Sequence, residues 1–251
     1  MKKSKSAAGP ALIYVDEHLV AVDKPAGFVS VRGRGNEPCL VDWLRAQPEL
    51  HENLALRIVQ RLDRDASGVL LYARTLPAQR QLVAAFVGRR VEKVYWALVS
   101  GHVAADGEVN LSLAFNRKRN RVITTSVGGK SALTRYRVEK RLAGHTLLEC
   151  RPVTGRLHQI RAHLAAIGHP LSVDPLYGGG EALYLSHYKP DYHPSRRRDE
   201  RPLMARLTLH ALRITFPHPM SGAPFTISAP PPKDLRVTLA QLGRLVAPAS
   251  E

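Results

Sequence analysis

Two cysteines, Cys39 and Cys150, are all that the 251 residues carry, so neither a disulfide framework nor a cysteine-rich zinc site is available. No apolar run reaches the ~20 residues of a membrane-spanning helix. The first apolar block, Ala11 to Val22, is broken by Asp16, Glu17 and His18. The basic start, Met1 to Lys5, has no apolar segment behind it, which argues against a signal peptide and makes the cytoplasm the expected compartment. Aromatic residues are scarce at 6%, yet the 44% hydrophobic content, set in regular blocks, excludes a wholly disordered chain. Acidic side chains are in short supply: 21 Asp and Glu face 37 Lys and Arg, leaving a net charge of +16. Such an excess on a globular chain calls for a large anionic partner, nucleic acid first. Arginine dominates the excess, and its planar fork suits phosphates and base edges better than a point charge does.

The pattern along the chain predicts a single domain over residues 11–245, between a disordered basic tail (1–10) and a short disordered end (246–251). Leu12–Val15 and Leu19–Val22 read as strands around the turn Asp16-Glu17-His18. Leu40 to Gln47 is a short helix, Val69 to Arg74 an apolar strand, and Pro77 opens a helix on Leu82, Val83, Phe86 and Val87. Val91 to Ser100 is a strand with Lys93 and Tyr95 on one face. Ser131–Lys140 and His145–Arg151 pair as a hairpin around Gly144, Arg156 to Ile167 is a helix closed by Gly168, and Leu207 to Phe216 is a last strand. Many strands, few helices and no strict alternation predict an α+β fold with a mixed, mostly antiparallel central sheet and flanking helices.

Several familiar chemistries lack their residues. Gly129-Lys130-Ser131 imitates the end of a phosphate loop, but Thr124 stands where that motif needs glycine. No His-Glu-x-x-His occurs, and His158 and His163 are five apart, so one helix would point them to different faces. Ser67 lacks the Gly-x-Ser-x-Gly elbow of serine hydrolases.

Three segments remain. Arg61-Leu62-Asp63-Arg64-Asp65-Ala66-Ser67-Gly68 is a charged loop leading into a buried strand, a common seat for functional side chains, although a lone Asp63 is more often a turn or cap residue. Lys93-Val94-Tyr95 places an ammonium and a phenol on one side of a strand, unless Tyr95 is simply core. In Arg151 to Arg161, Arg161 lies at the edge of the stripe Leu157, Ile160, Leu164 and Ile167. A guanidinium aimed toward a core needs an anion, and an aspartate on another loop would supply it, in a functional or a purely structural pair.

These segments, in this order, resemble the RluA family of RNA pseudouridine synthases. The resemblance is carried by Asp16-Glu17-His18-Leu19-Val20-Ala21-Val22-Asp23-Lys24-Pro25-Ala26-Gly27, Arg61-Leu62-Asp63, Lys93-Val94-Tyr95 and Thr154-Gly155-Arg156-Leu157-His158-Gln159-Ile160-Arg161. Gly168-His169-Pro170, Asp174-Pro175-Leu176-Tyr177-Gly178 and Leu209-His210-Ala211 extend it, from about Leu12 to Pro230. The resemblance implies an isomerase with no cofactor and no metal. Such an enzyme cuts the glycosidic bond of a uridine in rRNA or tRNA, turns the base and rejoins it through carbon. It implies a basic RNA-binding cleft, no membrane and no obligate protein partner. A catalytically silent RNA-binding or folding factor on the same scaffold is the alternative.

By the same resemblance Asp63 is the catalytic aspartate, Tyr95 packs on the target base and serves late proton removal, and Arg161 pairs with the aspartate. Arg61 enters the RNA stack vacated by the flipped base, as its planar head allows. Arg64, Lys93, Arg156 and His158 belong to the expected RNA-binding set. So do Arg117, Lys118, Arg119 and Arg121 in one basic loop, and Arg196 and Arg197, with Arg198 and Arg201, in another. Gln60, where the family usually has histidine, and Ala66, where it usually has threonine, are departures beside the aspartate. A catalytic domain alone is expected, without the N-terminal RNA-binding module of about sixty residues that several members carry.

Overall fold

The apolar blocks around Leu19 and Leu70 are buried on both faces, and the rest of their unit is built on them. The computed structural model describes residues 9–33, 35–50, 55–189, 191–192 and 199–246. Most of both expected tails, and the residues 193–198 that include Arg196 and Arg197, lie outside that set.

In chain order the elements are β1 (Ala11–Val15), β2 (Leu19–Lys24), α1 (Leu40–Arg45), β3 (Arg57–Ile58), β4 (Ser67–Ala73) and α2 (Leu76–Val87). Next come β5 (Glu92–Ser100), β6 (Gly107–Asn110), β7 (Leu113–Asn116), β8 (Arg121–Thr124), β9 (Leu133–Leu142) and β10 (His145–Pro152). Then follow α3 (Gln159–Ala166), β11 (Leu209–Pro217), β12 (Pro224–Ser228) and α4 (Lys233–Arg244). The fold is α+β with few helices and a mostly antiparallel sheet.

Two compact units share the chain: one takes residues up to Lys93 with Ala211–Pro230, the other Val94–His210 with the residues from Pro231 on. The chain passes between the units three times: inside β5, inside β11 and at Pro230-Pro231, just before α4.

In the first unit the strand order is β1-β2-β4-β11, with β3 on β4 and β12 on β11. Alternation along β2 and β4 sends Leu19, Ala21, Val69 and Leu71 to one face, under Ala78 and Leu82 of α2. It sends Val20, Val22, Leu70 and Tyr72 to the other, under Leu40 and Leu44 of α1. Burial on both faces explains why these strands read as continuous apolar runs. Thr75 caps α2 by accepting from the Ala78 amide at 3.3 Å, which places Pro77 in the first turn.

In the second unit the order is β5-β10-β9-β6, with β7 and β8 forming a separate hairpin. The β9–β10 hairpin turns at Gly144, whose φ of +69° suits glycine. Helix α3 covers one face of this sheet: Gln159 and His163 both bond the Thr134 side chain of β9. Helix α4, which the sequence reading leaves without an element, packs Leu235 and Leu242 against Leu98, Leu142 and Leu147 on the other face.

One predicted element changes. Helix α3 begins at Gln159, three residues later than expected, because His158 has φ +49° and Thr154 to His158 form a turn. Leu157, expected in the apolar stripe, is therefore 47% exposed. The basic segment Asn116 to Arg121 is the tip of the β7–β8 hairpin, with Asn116 and Arg121 paired across it.

Candidate active site

In the first unit the segment from Arg61 to Ala66 makes a turn, closed by the Ala66 amide on the Asp63 carbonyl at 3.2 Å. Side chains from earlier in the chain fix it through its main chain. Ser30 Oγ accepts from the Leu62 amide at 3.1 Å and donates to the Leu62 carbonyl at 3.0 Å. The Ser30 carbonyl in turn accepts from the Tyr72 hydroxyl at 2.6 Å. Lys24 is wholly buried, and its ammonium donates to the carbonyls of Pro25, Phe28 and Arg64 at 3.0, 2.9 and 2.7 Å. Three carbonyls match the three donors of an ammonium, which is what a buried lysine requires.

The Arg64 carbonyl also accepts from the Gly27 amide at 2.9 Å, with Gly27 at φ +90°. Gly68 closes the arrangement behind the turn. Its φ is +112°, and a Cβ there would stand 2.2 Å from the Ala211 carbonyl oxygen, so only glycine fits. Lys24 and Gly27 thus clamp the turn that presents Asp63, which is half-buried. Upstream, Asp16 accepts from the amides of His18 and Leu19, from Tyr14 and from His218. Burial opposes its charge, but those bonds outweigh burial and hold its carboxyl below the usual range. Arg61 is exposed, and Arg64 is engaged by Asp65 at 3.0 Å through two parallel bonds. Lys93 sits at the start of β5, where burial pushes its ammonium down to about 8.

In the second unit Tyr95 pairs with Cys150, and Cys150 with Tyr136, so Tyr95 shares the face of Tyr136 and Thr134, the face that α3 covers. Arg161 of α3 is buried and forms a two-pronged pair with Asp174, Nε to Oδ2 at 2.7 Å and Nη2 to Oδ1 at 2.9 Å. Asp174 is 1% exposed. The aspartate on another loop that a core-facing arginine needs is therefore present. The stack continues with Tyr177, whose ring centroid lies 4.9 Å from the Arg161 guanidinium carbon.

The turn before α3 is organised by Gln159. Its carbonyl accepts from Thr154 Oγ1 at 2.7 Å and the Arg156 amide at 3.0 Å; its NH2 donates to the Leu133 carbonyl and Thr134 Oγ1 at 2.9 and 3.0 Å. All four bonding positions of the amide are used. Arg156 Nε donates to the Ser131 carbonyl, and His158 Nδ1 meets the Tyr177 hydroxyl at 3.1 Å. Arg117, Lys118 and Arg119 are exposed at the hairpin tip, where Asn116 Oδ1 accepts from the Arg119 amide at 2.9 Å. Arg121, the first residue of β8 beside the tip, donates to the Leu176 carbonyl at 2.7 Å.

The residues that single-residue reasoning passes over are Lys24, Ser30, Gln159 and Tyr177, which act through other groups. Only the motifs around Lys24, Gln159 and Tyr177 signal them. Asp174, which opens the motif Asp174 to Gly178, has Arg161 as its partner.

Comparison with known proteins identifies the family. The sequence profile of the family described as RNA pseudouridylate synthase matches residues 18–166. Ribosomal large subunit pseudouridine synthase D of Xanthomonas campestris is 38% identical over 242 residues, 96% of this chain and 71% of that protein. The synthase D of Xylella fastidiosa is 40% identical over 233 residues, 92% and 69% of the two chains, and synthase C of Vibrio cholerae 35% identical with the same coverage. Among solved structures, human RNA pseudouridylate synthase domain containing 4 superposes with a TM-score of 0.69 at 22% identity, covering 92% of each chain. Human RNA pseudouridylate synthase domain containing 1 gives 0.68 at 24%, covering 92% of this chain and 86% of that one. At such identities the two human structures speak to the fold alone.

Proposed function

Because the chain belongs to the RNA pseudouridylate synthase family, whose members isomerise uridine to pseudouridine within RNA, we propose that it acts on large-subunit ribosomal RNA with Asp63, Tyr95 and Arg161 as its catalytic set. Such a substrate puts the work in the cytoplasm. Asp63 attacks the ribose or assists formation of an unsaturated sugar; Tyr95 packs on the base and receives the proton lost late from its carbon. Arg161 is the arginine of that set. Asp174 engages two of the five N–H donors of the Arg161 guanidinium.

The observation that carries this reading is the clamp on the Asp63 turn. Hydrogen bonds from Ser30, Lys24, Gly27 and Ala66 fix the main chain on either side of this one carboxylate. Base extrusion costs a few kcal/mol, which Arg61 offsets by stacking, and the hairpin tip with Arg64, Lys93, Arg156, His158, Arg196 and Arg197 binds the phosphates.

The test is pseudouridine mapping on unmodified large-subunit ribosomal RNA and on unmodified transfer RNA, both transcribed in vitro, with and without the protein. New pseudouridine at defined large-subunit positions is expected. Modification of transfer RNA alone would overturn the substrate assignment. No activity on either, with RNA binding intact, would move the protein to the class of silent RNA binders.

A further inference from the structure

The strongest unassigned feature is Tyr177, in the loop between α3 and β11. We propose that Tyr177 is a positioning residue that couples the RNA-binding hairpin β7–β8 to Arg161; this rests on the roles given above to the hairpin tip and to Arg161. The side chain is 7% exposed and touches both parts. Its hydroxyl accepts from the Val122 amide of β8 at 3.0 Å and meets His158 Nδ1 at 3.1 Å, just before α3. Two guanidinium carbons lie near its ring: that of Arg161 at 4.9 Å and that of Arg121, the first residue of β8 beside the tip, at 5.8 Å. Its own amide donates to the Asp174 carbonyl at 3.0 Å, so the ring and the carboxylate that grips Arg161 share one short loop. Leu113 and Val122 of the hairpin pack in the same cluster as Tyr177 and Ala162 of α3.

Core filling alone would be served by phenylalanine. The hydroxyl is what ties the ring to the main chain of β8, and a buried hydroxyl needs its partners. When RNA phosphates load the exposed tip, any displacement of β8 is passed through that bond to the ring, and from the ring to the guanidinium stacked on it. Hairpin contacts then set the orientation of Arg161 as well as affinity, which is a coupling between two sites through packed groups.

A double-mutant cycle tests this. The four proteins are wild type, Tyr177→Phe, the triple variant Arg117→Ala/Lys118→Ala/Arg119→Ala, and their combination. Each is assayed for Kd on unmodified large-subunit ribosomal RNA, for single-turnover rate at saturating RNA, and for thermal midpoint. The triple change should slow the single-turnover step about fivefold in the wild-type background and by less than about twofold in the Tyr177→Phe background, while weakening binding alike in both. Equal slowing in both backgrounds would make Tyr177 a core residue and overturn the proposal.

A second measurement works without turnover and without a Tyr177 variant. The Arg161 Nε–H NMR signal is followed on titration with oligouridylate. It should shift in wild type and shift markedly less in the hairpin triple variant at matched saturation. Equal shifts overturn the coupling. A wild type that forms no pseudouridine overturns the functional reading instead and leaves this second result to decide.

Discussion

The two units hold their candidate catalytic groups by opposite means. In the first, Asp63 rides on a turn whose main chain is fixed by Lys24, Ser30 and Gly27. In the second, Arg161 is itself part of the support: it is buried, paired with Asp174 and stacked on Tyr177. A side chain presented by a clamped main chain can be changed without unfastening the clamp. A side chain that is one half of a buried ion pair cannot. Chemistry and stability should therefore separate at Asp63 and remain joined at Arg161.

The largest expected effect is on rate at Asp63. Asp63→Asn keeps the size and removes the charge, so pseudouridine formation should fall by about 10⁴-fold or more. RNA affinity should persist, because it comes from many basic contacts, and unfolding free energy should change by about 1 kcal/mol or less. Rate measurements, filter binding and urea melts on one preparation decide it. A variant as destabilised as an Arg161 variant would break the contrast between the units; near-normal turnover would remove Asp63 from the mechanism.

At Arg161 both quantities should drop together. Asp174→Asn or Arg161→Met leaves half of a buried pair, which costs about 3–5 kcal/mol of stability in addition to rate. The combination Arg161→Met with Asp174→Leu should recover much of the stability and none of the activity, since two apolar side chains need no partner. Recovery of activity in that double variant would show that the pair is purely structural. Urea melts beside single-turnover assays separate these outcomes.

A similar contrast holds within the second unit, between two groups of arginines. Strands β9 and β10 line an open hollow of about 290 Å³ with Arg135, Arg137, Arg151, Tyr136 and Glu149. By register this hollow's charged side chains lie on the face opposite Tyr95. Each of its arginines already has a carboxylate: Arg135 has Glu108 at 3.4 Å, Arg151 has Glu149 at 2.7 Å, and Arg137 bonds Glu139 and lies 3.8 Å from Glu149. At the hairpin tip no carboxylate pairs with Arg117, Lys118 or Arg119 among the described residues. Only charge without a local counter-charge releases counterions when RNA binds. Replacing the three tip residues by alanine should flatten the dependence of log affinity on log salt by about two to three units. Replacing Arg135, Arg137 and Arg151 should change it by less than about one. Equal slopes would mean that net charge alone, wherever it lies, governs the affinity.

How much of this could be read in the sequence follows from how local each signal is. The buried strands β2 and β4, helix α2 and the Gly144 hairpin were legible because apolar runs and turn residues act within a few positions. Asp63, Tyr95 and Arg161 stood out only through the order of several motifs, since each alone fits a turn, a core or a structural pair. The start of α3 was not legible: Gln159 spends its side chain on Thr154, Arg156, Leu133 and Thr134, a long-range arrangement that holds the preceding turn out of the helix. The stretch after Phe216 carries no expected element, although β12 and α4 lie in it, α4 with Leu235 and Leu242 buried. The partnership of Asp174 with Arg161 spans 13 residues and a turn, beyond what periodicity reports.

The smallest expected effect is on pH dependence, and it sharpens the contrast from the side of the first unit. Lys93 is the second residue of the strand that carries Tyr95, and burial lowers its ammonium to about 8, against about 10.4 for an exposed lysine. Below about 8 the group is charged in the folded protein and can contact a phosphate. As pH rises through about 8 that contact is lost, so wild-type RNA affinity should fall by a few-fold between about pH 7 and 9 at fixed ionic strength. Lys93→Arg, whose guanidinium stays charged, should hold its affinity across the same range. Stability should move the other way. Between about 8 and about 10.4 the unfolded chain keeps a proton that the folded chain has released, so this group makes the fold more stable as pH rises through that window. Filter binding and urea melts at matched pH values read the two trends. A parallel loss of affinity in wild type and Lys93→Arg would take Lys93 out of the RNA contact.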